Sequence, residues 1–344
     1  MSNPDKTDSH ASEDAPFNLQ LALRDSVRDG ASLAAHLQEI ERDIDIDGTK
    51  AKLHCYSVQR DAHGRVRIDA LVDHLKHRIV DYAIPRTTIE EAVAQASIGG
   101  ATGAITKLYE KARSLFTDLA NTGEGGELLV FAIAESIFGL PQILCKMSLK
   151  TNTRMHYHGA DGVYAEVRDD GGFNLYWGES KVFGDPTEAI RDCLKSLSPF
   201  LLEPDSSNAD REQDIWLINE FAKFSDPKIV QALKDFLNRD HPASLKTKQC
   251  GFALVAFDCT AYGDNGPDVI ADEVMKALKA EISGWQASTK RRLTAETLEQ
   301  FDIHVICVPL PSAEAFRSAF LKAMGISPQV KEKKDRSKGK PDAA

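Results

Sequence analysis

The sequence predicts an α/β fold, a mixed central sheet flanked by helices, and three observations carry that prediction. The stretch 156–183, HYHGADGVYAEVRDDGGFNLYWGESKVF, reads as a β-hairpin, because Asp-Gly and Gly-Gly dipeptides sit between alternating or apolar runs. Two later runs, CGFALVAFDC and FDIHVICVPLP, are continuously apolar, the mark of strands buried on both faces. Around them apolar residues recur at helical spacing, so strands and helices alternate along the chain.

Taken in order, residues 1–16 are polar and charged without periodicity and are expected to be disordered. Residues 17–23 read as a short strand. Residues 51–58 are a better strand, with Leu53, Cys55 and Ser57 on one face, and RDAHGR turns the chain after it. Residues 67–82 carry Ile68, Leu71, Val72, Leu75 and Ile79 at helical spacing until Pro85 stops them. Thr87 or Thr88 is the expected cap of the next helix, with Glu90 or Glu91 at capping-box distance. A third helix is expected over 105–119. His74 and His77, three apart on a helix, read as surface residues rather than ligands. NTGEGGE then breaks the chain before a helix over 124–138, with Glu127, Phe131, Ala134 and Phe138 on one face. Residues 141–149 read as a strand neighbouring the hairpin. Beyond the hairpin, Gly184-Asp185-Pro186 opens a helix over 186–202. Helices over 211–224, 227–237 and 268–285 follow, and Ser312 caps one that reaches Met324.

The chemistry concentrates on the hairpin. Side chains alternate along a strand, so Phe173, Leu175, Trp177, Glu179, Lys181 and Phe183 share a face. Three large apolar residues lead that face into a core, and two charges follow in the same direction. On the first strand Asp161 shares a face with Val163, Ala165 and Val167. Buried charges are costly unless they are paired or hold a metal. Glu-x-Lys alone is ordinarily a solvated pair of little consequence. The preceding Asp-Gly strand, the shared apolar face and the acid-bearing helix make this set specific.

An Asp on one strand and Glu-x-Lys on the next is the pattern of the PD-(D/E)xK nuclease fold. Its residue types suit Mg²⁺, a hard cation that takes oxygen ligands and keeps several waters. Asp161, Glu179 and the backbone carbonyl of Ser180 are the expected ligands, and Lys181 the residue that orients water or stabilises phosphate charge. Ala160 stands where the signature has Pro. Nucleases of this kind often carry a Glu on the helix before the hairpin; Glu127 fits that place, with Glu124 the alternative. An acid there also suits the helix macrodipole with no catalytic role. His156 and His158 read as metal ligands, phosphate contacts or plain surface.

Composition narrows the classes. Hydrophobic residues make up 42% of the 344, enough for a real core, and the net charge is −10. Autonomous tight DNA binding normally shows a basic footprint, which this chain lacks. No apolar run long enough to span a membrane occurs, and the polar N-terminus has no secretory apolar segment. The six cysteines form no C-x-x-C and read as reduced thiols, so a cytoplasmic protein is expected.

YAIPR at 82–86, GEGGELL at 123–129, the Asp161-Gly162 strand, YWGESK at 176–181 and VICVPLPS at 305–312 resemble the HamA family, over residues from about 17 to 325. That family provides the effector of the two-component Hachiman antiphage system. The resemblance implies a PD-(D/E)xK deoxyribonuclease using Mg²⁺, with Mn²⁺ an alternative, that works as a heterodimer with the helicase-like HamB subunit. The chain's own layout gives a mostly helical region over 17–120 as a candidate docking surface, a nuclease-like domain over 121–325, and a basic tail over 326–344 expected to be disordered. The alternative function is a catalytically silent adaptor of the same fold that binds a helicase or nucleic acid. The residues leave open DNA or RNA, single strand or duplex, and endo or exo cleavage.

Overall fold

The computed structural model describes residues 17–27, 33–100, 102–116, 123–149, 159–202, 209–222, 224–263 and 271–326. The chain runs α1 (Leu19–Asp25), β1 (Leu37–Asp45), β2 (Lys52–Val58), α2 (Ile68–His77), α3 (Ile79–Ala83), α4 (Arg86–Gly99), α5 (Gly103–Ser114) and α6 (Glu124–Ser136). The hairpin follows as β3 (Gly162–Val167) and β4 (Phe173–Phe183), then α7 (Pro186–Leu202), α8 (Ala209–Phe221) and α9 (Pro227–Leu237). The last elements are β5 (Thr247–Asp258), α10 (Ala271–Ala295), β6 (Ile303–Leu310) and α11 (Ala313–Ala323).

Six strands form one sheet in the order β1-β2-β6-β5-β4-β3. The inner four run parallel to their neighbours, and β1 and β3 close the edges antiparallel. This is the mixed sheet with flanking helices that the sequence predicts, and it is consistent with a restriction-endonuclease-like core. The two apolar runs become β5 and β6, buried on both sides. Alternation divides their side chains between two cores. Ala253, Val255 and Phe257 pack with residues of α7, α9 and α10, while Phe252, Leu254 and Ala256 pack with residues of α2, α6 and α11. The hairpin is thereby held between helices on both faces. Trp177 stacks on Phe200 of α7 at 5.2 Å between centroids, and burying such a side chain contributes about 2–3 kcal/mol.

Several expectations are corrected. Residues 17–23 are not a strand. Residues 19–23 lie in α1, where Leu19, Ala22 and Leu23 reach the core at helical spacing and Asn18 Oδ1 caps the amide of Leu21 at 3.1 Å. Residues 141–149 touch β3 only briefly, through a Gln142–Tyr164 bridge and the Ile143 amide on the Val163 carbonyl at 2.9 Å. They then close into a 3₁₀ turn, Lys146–Leu149. The expected helix over 67–82 is interrupted at Arg78, whose guanidinium meets buried Glu135 at 3.4 Å and Asp81 at 3.2 Å. α4 starts after Pro85 without a side-chain cap, rather than at Thr87 or Thr88. His74 is buried, with its ring 4.5 Å from that of His36, and is not a surface residue. β1 was not foreseen. It is an edge strand with two register shifts, and Asp43 sits at φ 56°, so no clean alternation marks it. Residues 1–16, 150–158 with His156 and His158, and 327–344 lie outside the described residues.

Candidate active site

The turn that makes the hairpin also sets the register of the site. The Arg168 amide donates to the Gly172 carbonyl at 2.8 Å, and Gly162 then pairs with Gly178 and Tyr164 with Tyr176. Asp161, just before β3, therefore arrives beside Glu179, Ser180 and Lys181 of β4. Its amide donates to the Gly178 carbonyl at 2.8 Å. Its Oδ2 accepts from both the amide and the hydroxyl of Ser180, each at 2.8 Å. Lys181 Nζ donates to Glu179 Oε2 at 3.1 Å.

Asp161, Ser180 and Lys181 border a cleft of about 360 Å³. It is lined by Gly126 and Glu127 of the first turn of α6, by Asp161, Ser180, Lys181 and Phe183 of the hairpin, and by Arg317 of α11. Glu179 does not line the cleft. It is 4% exposed and lies behind Lys181, over α7, where the Cys193 thiol donates to its backbone carbonyl at 3.5 Å. Glu127 is half-buried and accepts from Tyr82 Oη at 2.9 Å. Glu124 is buried and does not border the cleft, so Glu127 is the helix acid that reaches it. The helix comes this close because residue 126 is glycine: a Cβ there would stand 3.0 Å from Val182 Cγ2 and 3.1 Å from Ser180 Oγ.

Electrostatics follow from burial. Burial, and then the charge of Asp161, push the Glu179 carboxyl up to about 8, against the opposing pull of Lys181 and Lys146. Burial acts to lower Lys181, but Glu179 and Asp161 outweigh it and hold the ammonium above the ordinary lysine value. The Tyr82 phenol is raised well above its ordinary value by burial and by Glu127. Glu179 thus holds its proton beside Asp161 in the metal-free protein, and a bound cation would favour its ionised form. Among the described residues no three His, Cys, Asp or Glu side chains are grouped to hold an ion. A cation here would rest on Asp161, Glu179, a backbone oxygen such as that of Ser180, and water. Mg²⁺ tolerates that donor set, because it keeps several waters.

The structure thus brings Glu127, Asp161, Glu179, Ser180 and Lys181 together. It adds four residues that the sequence did not single out: Tyr82, Lys146, Asp214 and Arg317. Tyr82 stands in YAIPR and Lys146 is the charge in an otherwise apolar stretch. Asp214 and Arg317 carry no local signal, since only the tertiary fold brings them near.

Among the described residues no helix is long and apolar enough to cross a membrane. Comparison with curated proteins finds no match. The family model for HamA matches residues 35–324, most of the chain. The chain therefore belongs to the HamA family and is a protein of the Hachiman antiphage defence system.

Proposed function

We propose that the chain is the Mg²⁺-dependent DNA nuclease of its defence system, hydrolysing phosphodiesters at the Asp161, Glu179, Lys181 site. The observation that carries this reading is buried Glu179 paired with half-buried Lys181, which borders the same cleft as Asp161. Asp161, Glu179 and the Ser180 carbonyl would hold the ion, which when bound polarises a phosphoryl oxygen and acidifies a water. Lys181 donates to a non-bridging oxygen of the scissile phosphate, where charge grows in the transition state. Glu127 accepts a proton from the attacking water, with its other contact fixed by Tyr82. Arg317, anchored on the Val182 carbonyl and beside Glu314 at 3.5 Å, offers a second cation to the phosphate backbone. HamB, as helicase subunit, delivers the strand and restrains the nuclease until it does. In support, α4 and α5 expose Val93, Ile98 and Ile105 within the region expected to dock it.

The test is Asp161→Asn. An amide keeps the shape of the carboxylate without the charge a hard cation needs. DNA cleavage titrated with Mg²⁺ is expected to shift to higher concentration or vanish. A titration curve identical to wild type contradicts the assignment.

A further inference from the structure

The chain entering β3 is gripped at one residue. Lys146 Nζ donates to the Ala160 carbonyl at 2.6 Å. The Ala160 amide donates to Asp214 Oδ2 at 3.2 Å. The same oxygen takes the Lys146 ammonium at 2.7 Å, across 68 residues of sequence. Asp214 on α8 is fully buried and the Lys146 side chain is 13% exposed. Gly159 makes this possible: its φ is 128°, and a Cβ would stand 2.5 Å from Lys146 Nζ and 2.8 Å from Asp214 Oδ2. Residue 160 is alanine where the nuclease signature has proline. A proline there would have no N–H to give to Asp214.

We propose that Lys146 and Asp214 are positioning residues, an ion-pair clamp on the backbone N–H and carbonyl of Ala160 that fixes where the neighbouring Asp161 carboxylate meets the cation of the site. For what Asp161 holds, the inference rests on the nuclease reading; the clamp itself does not. A buried ion pair seldom adds stability over apolar residues of the same volume. This one closes on both backbone polar groups of the residue before Asp161 and touches neither Glu179 nor Lys181 directly. Asp161 transmits the result, because its amide is tied to Gly178 and its carboxylate to Ser180. A displacement at Ala160 therefore moves the carboxylate against its partners on β4. Residues that orient a metal ligand without touching the ion typically change its affinity by about 10–100-fold.

The experiment uses the full chain with Lys146→Met, Lys146→Arg, Asp214→Asn and the apolar double variant Lys146→Met/Asp214→Leu. The double variant removes both charges together, so no unpaired charge is left buried. Three quantities are read: amide hydrogen exchange over 159–162 without metal, the Mg²⁺ midpoint for raising the melting temperature, and the Mg²⁺ midpoint for DNA cleavage. The expected result is faster exchange over 159–162 and both midpoints raised about tenfold or more in Lys146→Met, Asp214→Asn and the double variant, with partial rescue by Lys146→Arg. Lowered melting temperatures with wild-type exchange at 159–162 and wild-type midpoints would overturn the proposal and leave a merely structural pair. If wild type itself shows neither Mg²⁺ stabilisation nor cleavage, the nuclease reading falls, and exchange alone decides. Unchanged exchange at 159–162 in the double variant then overturns the clamp as well.

Discussion

Glu179 is the residue at which burial and charge conflict most. Its carboxyl, raised from 4.5 to about 8 by burial and by Asp161, keeps its proton in the folded metal-free protein over a range in which the unfolded chain has lost it. The folded state therefore binds more protons between about pH 4.5 and 8, and stability falls as pH rises through that window. Buried His54 works the other way at lower pH. Its imidazole is lowered to about 3 by burial and then by His304, so its stabilisation is gained as pH rises to about 6.5. Urea unfolding in EDTA from pH 5 to 9 separates the two, because Glu179→Gln removes only the first. Wild type is expected to lose stability relative to Glu179→Gln as pH rises, and parallel curves would show that Glu179 titrates normally. Most of the site's residues were legible in the sequence, since strand alternation places Glu179 and Lys181 on one face and the Asp-Gly dipeptide marks Asp161. Lys146, Asp214 and Arg317 were not, because a side chain recruited from a distant element leaves no local pattern.

Among the elements, α6 does most to shape the cleft. One end is tied by Tyr82 to Glu127 at 2.9 Å, and the other by Arg86 to Glu135 at 3.1 Å. Both anchors come from the YAIPR segment, which gives that motif a physical role. Gly126 lets the first turn press on β4. Gly126→Ala sets two effects against each other: alanine favours a helix interior by about 1 kcal/mol, while the added methyl crowds Val182 and Ser180. The melting temperature is expected to stay within a few degrees of wild type. DNA cleavage is expected to fall about tenfold or more, since small displacements at a reacting centre are costly. Wild-type cleavage would show that the close approach of α6 is not needed. Elements bounded by strong local punctuation, β4, α7 and α9, appear at the limits read from sequence. α1 and β1 escaped, because a seven-residue helix and an irregular edge strand carry too little periodicity to separate one from the other.

At the scale of the molecule, the expected helical region over 17–120 contributes two strands as well, and β2 pairs in parallel with β6. A partner bound on α4 and α5 would sit on helices that share a core with α6, whose first turn borders the site. The net charge of −10 gives the protein little hold on DNA by itself, which favours delivery by a helicase. Co-expression with HamB followed by gel filtration is expected to yield one complex with restrained cleavage. Separate elution at micromolar concentration, with cleavage unaffected by HamB, would contradict a partner-held effector. The central claim is metal-dependent phosphodiester hydrolysis by the hairpin site. Its most direct test is incubation of the purified chain with plasmid and linear DNA, in Mg²⁺ or in EDTA, beside a Lys181→Ala variant of wild-type circular dichroism. Cleavage is expected from wild type in Mg²⁺ alone, with a loss of at least about a hundredfold in the variant; cleavage by Lys181→Ala at the wild-type rate, or by wild type in EDTA, would contradict metal-dependent hydrolysis at this site.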